Sequence, residues 1–305
     1  MTVSAPVVSA GAATAPSAER APRRAWLRRV LPYGGRWAAI ILAVLVLAAL
    51  LAPWISPYDP NAQPDIVALK NLPPSLAHPF GTDPFSRDVL SRVLFGARIS
   101  LSVAALATAI AMTLGTAYGA IAGYVGGVLD TVLMRVVDAL LAIPRVLLLI
   151  ALVALWHTLP LWMLIVVLGT TGWFGLSRLV RAQVLAIRER DYVRAAEALG
   201  APGWRVLVRH VLPNVLPTVI VAATLGIGQV ILLEAGLSYL GLGVQPPTAS
   251  WGNIIQDGAD QVATLWWVSL FPGLLIVTTA IACTALGDAL EAALDPHRRT
   301  RGGAA

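Results

Sequence analysis

The 305-residue sequence contains one lysine and one cysteine, and only 12% of its residues are charged, where a soluble domain has about 25%. That scarcity of charge, with 57% hydrophobic residues and a mean hydropathy of +0.75, excludes a water-soluble globular protein. The single cysteine, Cys283, can form neither an internal disulfide nor a cysteine-rich metal site; it reads as a helix-packing residue. The four histidines, at 78, 157, 210 and 297, are scattered over separate segments without metal-ligand spacing. The lone lysine, Lys70, falls outside the predicted membrane spans, so no phosphate loop of the form GxxxxGK[ST] exists. Any ATP must then be handled by another polypeptide. The net charge of +6 comes from arginines in loops and tails rather than from a folded basic face, which removes nucleic acid as an expected partner.

What is present is apolar length. Uncharged stretches run over residues 37–58, 99–129, 146–177, 210–233 and 261–287, each sufficient for a membrane span of about 20 residues. The third is too long for one crossing and too short for two. His157-Thr158-Leu159-Pro160 therefore marks a break, and the earlier helix must begin near Leu129, carrying Asp130, Arg135, Asp138 and Arg145 with it. Six spans are predicted, near 37–55, 99–122, 129–156, 160–177, 215–240 and 266–287, giving an all-α, polytopic membrane protein. The expected organisation is a disordered basic tail (1–36), a first transmembrane helix with an extracytoplasmic segment (37–98), a five-helix core (99–288) containing a loop at 178–213, and a second tail (289–305).

Arginine and lysine in short loops mark the cytoplasmic side. Six arginines precede the first span, seven lie between Arg178 and Pro213, and three follow Pro296. Across residues 56–98 the basic Lys70, Arg87, Arg92 and Arg98 are balanced by four aspartates, and residues 241–265 carry no basic residue. Both termini are therefore expected in the cytoplasm. The apolar run Trp37–Ile55 is longer than a signal-peptide core, so no cleaved leader is expected.

Charges inside a membrane are costly, and are paired or functional. Arg135, Asp138 and Arg145 can share one helix face, either as a bundle-stabilising ion pair or as a polar wall of a substrate path. Pro144 should bend that helix just before Arg145. Glu234 has no obvious partner within four residues and suits a gate or a cross-subunit contact. Ser238, in Gly236-Leu237-Ser238-Tyr239, is the nearest approach to a nucleophile motif but lacks its second glycine and a base, which argues against a membrane hydrolase. The segment with Gly241, Gly243, Pro246, Pro247 and Trp251 reads either as a rigid cap or as a gate at the outer mouth.

The 178–213 loop reads as two short helices. Asp191 can cap one over Tyr192–Leu199, with Gly200 as the left-handed stop and Pro202 barring continuation. The second runs from Trp204 to Leu212 and ends at Pro213, with Trp204, Leu207, Val208 and Val211 on one apolar stripe and Arg205 and Arg209 facing away. The stripe can lie on membrane lipid or in a groove on a soluble partner.

The run Tyr192-Val193-Arg194-Ala195-Ala196-Glu197-Ala198-Leu199-Gly200, followed after nine residues by His210-Val211-Leu212-Pro213, resembles the EAA loop of bacterial ABC-importer permeases. HPFGTDPFSRDVLSRVLFGARISL (His78 to Leu101) and LEAGLSYLGLGVQPPTASWGNII (Leu233 to Ile255) are similar to the C-type permease subunit of the dipeptide, oligopeptide and nickel importers. The likeness covers nearly everything from Trp37 to Asp295. Arg194 stands where the pattern has its Glu, Glu197 where a basic residue is common, and His210 where it has Ile. An Arg194–Glu197 swap could preserve an internal pair. Ser86 replaces a glycine usual in the outer GTD motif.

The resemblance implies a type I ABC-importer permease in the bacterial inner membrane, with no catalytic or metal site and no cofactor of its own. It implies a second homologous permease, two cytoplasmic ATPase subunits that use ATP and Mg, and an extracytoplasmic binding protein. The loop helix would dock on an ATPase and transmit its closure to the spans. Peptides are the expected cargo, with nickel or another small solute as the alternative. A stand-alone secondary transporter or membrane enzyme would instead be active without any ATPase.

Overall fold

The computed structural model describes residues 35–156 and 159–294. The predicted tails, except for residues 35–36 and 289–294, and His157 and Thr158 of the predicted break lie outside the described residues. The helices are α1 (Gly35–Ile55), α2 (Val89–Val125), α3 (Gly127–Leu141), α4 (Arg145–Val153), α5 (Leu161–Thr170), α6 (Phe174–Arg188), α7 (Asp191–Ala198), α8 (Gly203–Val206), α9 (Leu212–Tyr239), α10 (Trp251–Asp257) and α11 (Trp266–Leu294). A π turn at Leu207–Val211 joins α8 to α9. Four helical stretches are long and apolar enough to cross a membrane: α1, α2, α8 through α9, and α11. The bent pairs α3–α4 and α5–α6 bring the total to six if each is one span.

Helix α1 is apolar on all sides, and Trp37, Val44, Leu47, Leu50 and Trp54 remain exposed while Ala38, Ala49 and Ala52 are buried. A helix of that character belongs in lipid. Helix α2 is central, packed against α1, α5, α6 and α9. Gly115, Gly119 and Gly123 form a stripe on α2 facing α6; a Cβ on Gly119 would lie 2.3 Å from the Ser177 carbonyl oxygen. Small residues permit that close backbone approach, as membrane helix pairs require.

Three apolar clusters divide the molecule along its length. One around Val103, Leu149, Leu164, Leu168 and Ile231 fills the middle. Another, with Val180, Val184, Val193, Val206, Val211 and Val215, ties α6 to α7 and α8. The third joins Val89 and Val93 to Ile254, Trp267 and Val268, with Phe80 stacked on Phe271 at 3.8 Å between ring centroids. Cys283 is buried and unbonded to any other cysteine, in keeping with a packing role.

Several boundaries differ from the sequence expectation for identifiable reasons. Helix α2 starts ten residues early because Asp88 caps it, its Oδ2 accepting from the Ser91 backbone N–H (2.7 Å) and hydroxyl (2.6 Å). Arg92, expected as an outer flanking charge, is buried in the first turn of α2. The bend of 79° between α3 and α4 falls at Pro144, as expected. Pro213 does not end its helix: the Leu212 N–H bonds back to the Leu207 carbonyl, a five-residue step, and this wider turn admits a proline without N–H. Asp191 is not the cap of α7 but its first residue, since Arg190 holds the extended cap conformation.

Candidate functional site

The arginine-rich end of the bundle is built on α7 and α8. Gly200 adopts φ of +81°. Its N–H donates to the Glu197 carbonyl (2.9 Å), and that of Ala201 to the Ala196 carbonyl (3.2 Å), closing α7 as the sequence predicts. Nothing would meet a Cβ at Gly200, so the glycine is needed for its backbone and not for space. Val193, Val206 and Val211 are buried, and Ala196 and Leu207 pack against the same cluster. Ala195 lies between them on α7.

The opposite faces carry Tyr192, Leu199, Trp204 and Val208, all exposed, with Trp204 at 66% and Leu199 at 88%. The predicted stripe is thus split. Trp204 and Val208 face out while Val211 is enclosed, because the π turn rotates the residues beyond it relative to a plain α-helix. The expected Arg194–Glu197 pair does not form. Arg194 pairs with Glu189, and Glu197 accepts from the Tyr124 hydroxyl at 3.0 Å. Tyr124, at the end of α2, also offers its carbonyl to Arg188 (2.9 Å) and its ring to Gly203. Sequence reading passed over this anchor; its signal was a tyrosine at a predicted membrane edge.

The expected triad of Arg135, Asp138 and Arg145 is not assembled. Each aspartate of α3 pairs instead with α6: Asp130 accepts a two-bonded fork from Arg181 (2.5 and 2.6 Å), and Asp138 contacts Arg178. Arg135 is exposed. The bend at Pro144 carries Arg145 elsewhere, where its Nη2 donates to the Leu168 carbonyl at 3.0 Å.

Glu234 is fully buried and has partners that the sequence expectation lacked. Ser238 Oγ, one turn on, donates to its Oε1 (2.7 Å), and Ser100 Oγ donates to its Oε2 (2.9 Å). The two hydroxyl oxygens in turn accept the backbone N–H groups of Val244 (3.1 Å) and Trp251 (3.2 Å). Burial within its own chain removes Glu234 from a cross-subunit contact. Trp251 is likewise enclosed, at 0% exposure, with its indole N–H donating to the Val93 carbonyl (3.2 Å). Neither side chain lines an open path in this structure. Gly243 and Gly252 allow the 241–253 segment to lie against α9: a Cβ would fall 2.1 Å from Ser238 Oγ at the first and 2.5 Å from the Ala235 carbonyl oxygen at the second.

A second node, at the N-terminal end of α2, went unrecognised in the sequence. Asp83 pairs with Arg87 (2.6 Å), and Asp257 receives both Arg87 (2.6 Å) and Arg92 (3.1 Å). His78 contacts the capping Asp88 at 2.9 Å. Burial pushes the Asp257 carboxyl above the ordinary carboxylate range, against the opposing pull of the two guanidiniums. The only sequence signal was the matching count of acids and bases in 56–98, and Asp257 sits 165 residues from Arg92. Ser86 closes the turn after Asp83 at φ of +62°, buried and with an unpartnered hydroxyl. Left-handed backbone costs a non-glycine residue about 1–2 kcal/mol, partly offset by the greater unfolded-state freedom of glycine. Ser86→Gly should raise stability by about 1 kcal/mol, read as a higher unfolding midpoint in detergent. A lowered midpoint would contradict that.

Comparison with known proteins adds to this geometry. Residues 115–300 match the profile described as binding-protein-dependent transport system inner membrane component, and residues 34–74 match the N-terminal TM domain of oligopeptide transport permease C. A putative peptide transport system permease protein of Brucella suis is 41% identical over 268 residues, 88% of this chain and 89% of the relative. The dipeptide transport system permease protein of Bacillus subtilis is 42% identical over 260 residues, 85% of this chain and 80% of the relative. The oligopeptide transport system permease protein of Haemophilus influenzae is 38% identical over 265 residues, covering 85% and 83%.

Proposed function

From the premise that the chain belongs to the binding-protein-dependent transport system inner membrane component family, we propose that it forms half of the translocation path of an ATP-driven peptide importer. It is a multi-pass inner-membrane transport subunit and not itself an enzyme. The other half of the path is a second, homologous permease, two cytoplasmic ATPases supply the energy from ATP and Mg, and an extracytoplasmic protein delivers the peptide. Peptide cargo follows from the names of the relatives, which are peptide, dipeptide and oligopeptide permeases. Alternating access requires two halves that move against each other.

The observation that carries the coupling role is the exposed apolar set Tyr192, Leu199, Trp204 and Val208 on a helix pair whose other side is sealed by Val193, Val206 and Val211. A small loop does not leave two large aromatic and two aliphatic side chains in water without a partner surface. The ATPase cleft is the partner assigned here, and Asp191, Arg194, Glu197 and the Gly200 joint frame it. Force entering α7 reaches the core through Tyr124 and through the unbroken run from α8 to α9. In this reading the arginine-rich 178–213 end is cytoplasmic, as are both termini.

The test is mild-detergent copurification from the native host. The chain alone should show no ATP hydrolysis and should gain it on association with its ATPases, with further stimulation by peptide-loaded binding protein. Hydrolysis by a contaminant-free preparation of the single chain, or vectorial peptide uptake without any ATPase, would overturn the assignment.

A further inference from the structure

Arg145 is set apart from the paired charges of the membrane region and from the exposed Arg135. Asp130, Asp138, Arg178 and Arg181 are matched in pairs, whereas no carboxylate among the described residues forms an ion pair with Arg145. Its guanidinium is held at one corner by the Leu168 carbonyl, while its Nε is buried and has no hydrogen-bond partner. Gly172 makes room for it: a Cβ there would lie 2.9 Å from Nη2.

The side chain lines a cavity of about 290 Å³ between α2, α6 and α9, shared with Thr108, Met112, Leu225 and Gln229. The Thr108 hydroxyl is also buried without a partner. Gln229 lies ten residues from the outer end of α9 at Tyr239, so the cavity sits about 15 Å along the helix, near mid-depth of a hydrocarbon core about 30 Å thick. Ligand pockets start at about 300 Å³, so the space suits one end of an extended molecule rather than the whole of it.

A guanidinium stays charged at any physiological pH, and burying it unmatched is costly. Its remaining edge calls for an anion with two oxygens. Resting on the peptide-importer reading, we propose that Arg145 is a recognition station in the translocation path for the terminal carboxylate of the passing peptide. Thr108 and Gln229 are placed to complete its hydrogen bonds. The carboxylate is the one anionic group shared by peptides of any sequence, so a single arginine at this depth gives recognition that ignores side chains.

The test uses the full complex in proteoliposomes, with trialanine and its C-terminal amide as probes and a binding protein that titration shows to be saturated by each. Arg145→Gln should lower uptake of the free acid relative to the amide by about tenfold or more, the worth of a lost charge-assisted hydrogen bond. Arg145→Lys, which keeps the charge but not the planar fork, should restore only part of that ratio. Gly172→Ala, which displaces the guanidinium without removing charge, should shift the ratio the same way by a smaller factor and serves if the glutamine variant fails to assemble. Equal losses for acid and amide would overturn the proposal in favour of a structural cation or a counter-charge from the second permease, and undiminished uptake of both probes would overturn it outright. A wild-type complex that imports neither probe would instead defeat the peptide reading on which the proposal rests.

Discussion

Gly200→Leu is expected to abolish peptide uptake while leaving the assembled complex able to hydrolyse ATP. At φ of +81° a leucine incurs left-handed strain of about 1–2 kcal/mol. The easiest relief is to unwind the end of α7, which would release the bonds from Gly200 and Ala201 back to Glu197 and Ala196. Because nothing lies within reach of an added Cβ, the effect must come from the backbone and not from a clash. Asparagine tolerates this conformation better than other residues, so Gly200→Asn should keep substantial uptake. The measurement is uptake per ATP hydrolysed in proteoliposomes. Coupling in the leucine variant equal to wild type would remove Gly200 from the transmission route.

Glu234→Leu should cost several kcal/mol of stability. Each of Ser100 and Ser238 has one proton, and both protons are committed to the Glu234 carboxylate while the hydroxyl oxygens accept from Trp251 and Val244. Removing the acceptor leaves two buried donors unsatisfied at about 1–3 kcal/mol each. Glu234→Gln retains one carbonyl acceptor, but its amide group must face the second hydroxyl, so one donor is still lost and the penalty is about half as large. Unfolding midpoints in detergent should rank wild type, glutamine and leucine in descending order. A leucine variant as stable as wild type would mean that the hydroxyls find other acceptors and that the node does not hold the 241–253 segment to α9.

How much of this was legible in the sequence depended on the range of the interaction. The Gly200 stop and the Pro144 bend are local backbone rules, and both hold. Family membership was carried by contiguous runs such as HPFGTDPFSRDVLSR, and the relatives agree. Pairings across helices were not legible. The i, i+3 and i+10 spacing of Arg135, Asp138 and Arg145 assumed one straight helix, whereas the bend separates Arg145 and Asp138 looks outward to α6. The apolar stripe failed for a related reason, since a π turn changes the period midway and nothing short of the Pro213 side chain announces it. Glu234 shows a different lapse: its partner Ser238 stands four residues on, and only burial reveals that the hydroxyl turns toward the carboxylate.

Helix α2 is 37 residues long, about 55 Å at 1.5 Å per residue, well beyond the thickness of the hydrocarbon layer. One extremity is clamped through Asp88 to His78 and through Arg92 to Asp257; the other holds Glu197 and Arg188 through Tyr124. Moved as a rigid rod, such a helix would couple the positions of its two ends. A pivot of about 5° at the Tyr124 end would sweep the Asp88 end through about 5 Å, roughly the rise of one helical turn. A displacement of that size exceeds what the 3.1 Å Arg92–Asp257 contact can stretch, so such a tilt of α2 as a rigid rod would break that ionic node.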